Sequence, residues 1–264
     1  MRLLIIILVL ISIPCRAANP PESQQFVLFV GNSLTYVGNT PAVFDALAAA
    51  NGKSVESDMI VQGGATLAQR VNDGSVARAL ETKRYDAVVL QERGGDLLCS
   101  FGPACCLESR KAIKSLASLA ADSGTKAYLL GSYQGNPSAS QALVSAESAA
   151  AVEAGISYLE VSEKLQVLRS TPQEFAWTDP DGVHPGPGIA LLNAAVLYQA
   201  LAGTAPVPST FTVNAPIYEA TSGLTESVRG AADPPPLTTT PASVTYPEEL
   251  VHIVVDALPV PAGS

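Results

Sequence analysis

The sequence predicts an α/β protein: a three-layer α/β/α sandwich on a five-stranded, mainly parallel sheet. Two observations carry this. Short apolar runs that end in turn residues alternate about five times with helix-compatible, Ala-rich segments, the pattern of a parallel sheet covered on both faces. The clearest runs, Phe26-Val-Leu-Phe-Val30 and Ala87-Val-Val-Leu90, have no polar break, as expected of strands buried on both sides.

The first strand runs into Gly31-Asn32-Ser33. Asn39-Thr40-Pro41 then opens a helix, with a capping residue followed by proline in the first turn, and Gly52 stops it. Ser54 to Val61 reads as a second strand ending in Gln62-Gly63-Gly64, and Thr66 to about Glu81 as two short helices broken at Asn72-Asp73-Gly74. Tyr85 to Leu90 is the third strand, followed by Gln91-Glu92-Arg93 and a cysteine-bearing loop. Glu108 to Ala121 is an amphipathic helix and Lys126 to Gly131 the fourth strand. Ser138 to Ala154 is a helix closed by Gly155, Ile156 to Val161 the fifth strand, and Ser162 to Leu168 a short helix. A Pro- and Gly-dense loop, Thr178 to Gly188, leads into an apolar helix over Ile189 to Leu201.

Composition bounds the rest. A chain of 264 residues, 47% hydrophobic and 15% charged, supports one domain with a full core. Residues 1–18 read as a secretory leader, with Arg2, an apolar stretch from Leu3 to Ile13, and Cys15-Arg16-Ala17 as a small-x-small cleavage site. Pro14 suits lipid attachment at Cys15 poorly, so a secreted or periplasmic protein without a membrane span is expected. The net charge of -9 becomes -11 without Arg2 and Arg16, which argues against nucleic acid as a partner. Among Cys99, Cys105 and Cys106, pairing of Cys99 with Cys105 or Cys106 suits an oxidising compartment and leaves one thiol over. From residue 204 the composition turns to Pro, Thr, Ser and Ala, read as an extended or mobile extension with a helix over Pro247 to Leu258 docking back.

Chemistry concentrates at two places. Ser33 lies past the carboxyl end of the first strand, where open α/β sheets place ligands. Of the two histidines, His252 fits a partly exposed helix position. His184 stands three residues after Asp181 in a loop, a spacing at which a carboxylate can fix the imidazole tautomer. Carboxylates do not cluster around either histidine with metal-ligand spacing, so neither metal nor organic cofactor is expected.

Taken together, Gly31-Asn-Ser33, Gly64-x-Thr66 and Asp181-x-x-His184-Pro resemble the SGNH (GDSL-like) hydrolase family over about residues 26–203. The resemblance implies a flavodoxin-like fold, a domain over residues 19–203 and an extension over 204–264. It implies Ser33 as nucleophile, His184 as general base and acid, and Asp181 as its orienting partner. It also implies an oxyanion hole from the Ser33 N–H, the Gly64 N–H and a third-block side chain. The family's Gly-x-Asn-Asp is absent there. Gln91 either supplies that amide or is an ordinary strand-end residue, and Glu92 either pairs with Arg93 or faces substrate. The implied activity is hydrolysis of short-chain or O-acetyl esters of carbohydrates, lipids or small molecules. Two alternatives stand beside it: a non-catalytic module that binds acylated glycans, and an acyltransferase of the same fold.

Overall fold

The computed structural model describes residues 23–170, 175–234 and 242–259; the expected leader lies outside them. Strand β1 (Gln25–Gly31) is central. It pairs in parallel with β2 (Val55–Val61) on one side and β3 (Ala87–Leu90) on the other. Beyond β3 follow β4 (Lys126–Leu130) and β5 (Ser157–Leu159), also parallel. The order β2-β1-β3-β4-β5 is flavodoxin-like, and it makes the carboxyl end of β1 a topological switch point.

Alternation along β1 divides the interior in two. Val27 and Phe29 enter one core, Leu28 and Val30 the other, because successive side chains of a strand point to opposite faces. The first face is covered by α2 (Thr40–Ala50), α7 (Ser162–Arg169) and α8 (Pro187–Ala202), the last buried over nearly its whole length. The second is covered by α3 (Leu67–Asn72), α4 (Ser75–Thr82), α5 (Pro103–Asp122) and α6 (Pro137–Ala154). A four-residue helix, α1 (Ser33–Tyr36), joins β1 to α2.

Three sequence expectations change. The sheet has six strands rather than five, because β7 (Arg229–Gly230) adds antiparallel to β2 at its free edge. A two-residue strand has no hydrophobic period by which to be recognised. Helix α5 begins at Pro103 instead of Glu108, since Pro at the first turn starts it inside the cysteine segment. The disulfide, by contrast, is one of the two expected pairings: it joins Cys99 to Cys106 and leaves Cys105 free. Finally, the described residues after 204 do not form a loose strap. Among them β6 (Phe211–Ala215) and β8 (Ala242–Tyr246) form an antiparallel ribbon, and Phe211 stacks on Tyr246 with ring centroids 4.9 Å apart. With α9 (Glu248–Asp256), which supplies Leu250, Val251 and Val254, this ribbon completes the α2–α8 core.

Candidate active site

The turn after β1 is built to present Ser33. Asn32, almost fully buried, accepts the Leu34 N–H through Oδ1 at 3.0 Å and donates from Nδ2 to the Gln91 carbonyl at 3.3 Å. It thereby caps α1 and ties the turn to the end of β3. Gly31 is needed sterically: a Cβ there would stand 2.2 Å from Thr35 Oγ1, which folds back over the strand end. Ser33 is left half-buried at the lip of the sheet.

The histidine loop arrives from the far end of the chain. Asp179 N–H donates to the His184 carbonyl at 2.9 Å, and Gly182, at φ +72°, supplies the left-handed turn between them. Asp181 Oδ1 accepts the backbone N–H groups of Val183 and His184, at 2.8 and 2.9 Å. Its Oδ2 lies 2.5 Å from His184 Nδ1. The His184 bond first, then those two backbone donors, hold the Asp181 carboxyl down to about 2. The other ring nitrogen, His184 Nε2, stands 2.9 Å from Ser33 Oγ. Serine, imidazole and carboxylate are thus in one hydrogen-bonded line across 151 residues of sequence. His252, as expected, sits exposed on α9, 3.0 Å from Asp256.

Ser33 and His184 open on a cleft of about 460 Å³ shared with Leu34, Arg93, Phe101, Tyr133 and others. Tyr133 donates its hydroxyl to the Val183 carbonyl at 2.6 Å, and burial pushes its phenol up. Among the described residues no three His, Cys, Asp or Glu side chains converge as metal ligands would, and no helix is long and apolar enough to cross a membrane.

The sequence matches no protein-family model, and no curated protein matches it. Solved structures do. A Slackia heliotrinireducens protein classed with the SGNH hydrolases superposes with a TM-score of 0.55 at 24% identity, over 68% of this chain and 100% of that one. The psychrotrophic esterase EstA of Pseudoalteromonas gives 0.52 at 13% identity, over 67% and 97%. An acetyl-xylooligosaccharide esterase variant from Geobacillus gives 0.52 at 15%, over 66% and 93%. The fold is that of the SGNH hydrolases.

Within the SGNH fold, the remaining sequence expectations divide. Gly64, at φ +71°, is exposed in the turn after β2, and neither its N–H nor that of Ser33 is taken by an acceptor among the described residues. Gln91 departs from the oxyanion role. It is 1% exposed, its Nε2 donates to the Gly131 carbonyl at 3.1 Å, and its Oε1 accepts Thr35 Oγ1–H at 2.8 Å. Its extra methylene carries the amide into the sheet end rather than the cleft, and the cleft lining does not include it. Glu92 neither pairs with the Arg93 guanidinium nor faces the cleft. Buried, it accepts Leu67 N–H, Arg93 N–H and Ser109 Oγ–H, and burial pushes its carboxyl up to about 7.

Arg93 is the third-block side chain that reaches the cleft. Its Nε and Nη2 donate to Asp96 at 2.7 Å each, and Nη1 donates to the Gly64 carbonyl at 3.3 Å. It therefore links the two blocks that flank Ser33. Sequence reading missed it because an arginine after a strand looks like solvated surface. It missed Tyr133 too, although that residue's place just past the end of β4 was a usable signal.

Proposed function

We propose that the chain is an exported serine ester hydrolase acting on short-chain or O-acetyl esters. The observation that supports this most is the unbroken Ser33–His184–Asp181 line opening on a cleft. A module that only binds acylated ligands has no need of an imidazole aligned on a serine hydroxyl. Export draws support from the leader-like residues 1–18 and the Cys99–Cys106 disulfide. Small O-acetyl substrates draw support from the Geobacillus neighbour, an acetyl-xylooligosaccharide esterase.

In this reading His184 Nε2 takes the Ser33 proton as Oγ attacks the ester carbonyl. The Ser33 and Gly64 N–H groups stabilise the oxyanion, with Arg93 holding the Gly64 turn through its carbonyl. His184 then protonates the departing alcohol, and the acyl group becomes an ester of Ser33. Water, deprotonated by the same imidazole, cleaves that ester and returns the serine. Asp181 stabilises the transient imidazolium without taking its proton. Hydrolysis of p-nitrophenyl acetate by the wild type and by Ser33→Ala tests the proposal. Loss of turnover in a variant with an unchanged unfolding midpoint supports it; retained turnover overturns it.

A further inference from the structure

We infer that the ester bound here carries a carboxylate, held by Arg169. The inference rests on the hydrolase reading above and adds the charge of the substrate to it. The chain carries a net charge of -9, yet among the described residues the cleft before Ser33 is lined by two arginines, Arg93 and Arg169, and by no Asp or Glu. The two arginines differ in what they have left to offer. Arg93 is neutralised by its paired bonds to Asp96, and its guanidinium lies 4.7 Å from the Phe101 ring centre.

Arg169 is the last residue of α7 and is partly exposed. No hydrogen bond or ion pair engages its side chain among the described residues. Asp181, which with Arg169 surrounds Tyr133, is spent on the His184 ring and two backbone N–H groups. An uncompensated guanidinium in a partly enclosed cleft recognises a carboxylate by two parallel N–H donors and draws anions toward it. Phe101 and Leu34 give the same cleft an apolar surface for the rest of the molecule. A basic residue in the last helical turn also suits the helix dipole, but that role leaves ester discrimination unmoved.

The test compares two matched pairs of esters. With the carboxylate on the acyl side these are mono-p-nitrophenyl succinate and p-nitrophenyl acetate. With it on the alcohol side they are an O-acetyl methyl galacturonoside and the corresponding galactoside. The wild type should favour the acid in one pair by about tenfold in kcat/KM, mostly through KM, and the pair that responds tells where the carboxylate sits. Arg169→Gln should bring that ratio to about twofold or less, Arg169→Lys should keep part of it, and 0.5 M salt should shrink it in the wild type. Equal rates within both pairs for the wild type, or a preference that survives Arg169→Gln, overturns the inference. Failure to hydrolyse any of the four esters instead defeats the hydrolase reading, and this one with it.

Discussion

Tyr133 and Val183 are joined by a 2.6 Å hydrogen bond, the phenol donating to the backbone carbonyl. It anchors the loop carrying Asp181 and His184 to the segment just past β4, so the sheet fixes the place of the loop within which Asp181 orients the imidazole. Tyr133→Phe removes this one donor and leaves the ring. We expect kcat to fall about tenfold with little change in KM and a stability loss of about 1 kcal/mol. A KM effect with kcat untouched would mean the contact serves substrate binding instead.

Asp181→Asn keeps the shape of the loop but removes the charge that faces His184 Nδ1. Turnover should drop about 10²- to 10⁴-fold, since an amide can impose the wrong tautomer on the ring. Because its partners hold Asp181 down to about 2, it stays ionised throughout mildly acidic solution. Steady-state kinetics at pH 8, where the wild type needs a neutral imidazole base, measures the loss.

Gln91 gives a prediction that separates support from chemistry. Gln91→Ala leaves the Gly131 carbonyl and the Thr35 hydroxyl without their buried partner, at a cost of about 1–3 kcal/mol for each group. The unfolding midpoint should fall clearly while kcat stays within about tenfold. A loss of a hundredfold or more in kcat with an unchanged midpoint would restore the oxyanion role expected from sequence.

Three carboxyls, Glu92 and Glu147 buried and Asp45 partly so, set a pH dependence of stability. Asp45 beside Ser57, Glu92, and Glu147 beside Ser132 and Tyr158 are each pushed up to about 7 by burial, against hydrogen bonds that favour the charged form. An acid that binds its proton more tightly when folded stabilises fully below its unfolded value, and that stability is lost as pH rises through about 7. The midpoint should therefore be higher at pH 5 than at pH 8, by at least about 3 °C. Glu147→Gln should narrow the gap. A midpoint that is flat or rises over this interval contradicts the assignment.

Much of this was legible in the sequence, for identifiable reasons. Strands β1 and β3 announced themselves as apolar runs without a polar break, the other three parallel strands as shorter apolar stretches between helix-compatible segments, and Ser33 and His184 stood at turns whose backbone demands leave a signature. What was hidden depends on where side chains go after the strand ends. Gln91 and Asn are chemically alike, but one methylene decides whether the amide meets the cleft or Thr35. Arg93 reads as surface until its Asp96 and Gly64 partners are seen. The Pro- and Thr-rich tail looks weakly apolar, yet Phe211, Tyr246 and Leu250 are spaced so that a ribbon and a helix bring them together in one core.

The proposed chemistry stands on activation of the Ser33 hydroxyl by His184, 2.9 Å away. Intact-mass measurement after treatment with a fluorophosphonate tests it most directly. We expect a single adduct that maps to Ser33, is absent in Ser33→Ala and forms far more slowly in His184→Ala. No adduct on the folded wild-type protein, or an adduct on another residue that persists in Ser33→Ala, would contradict it.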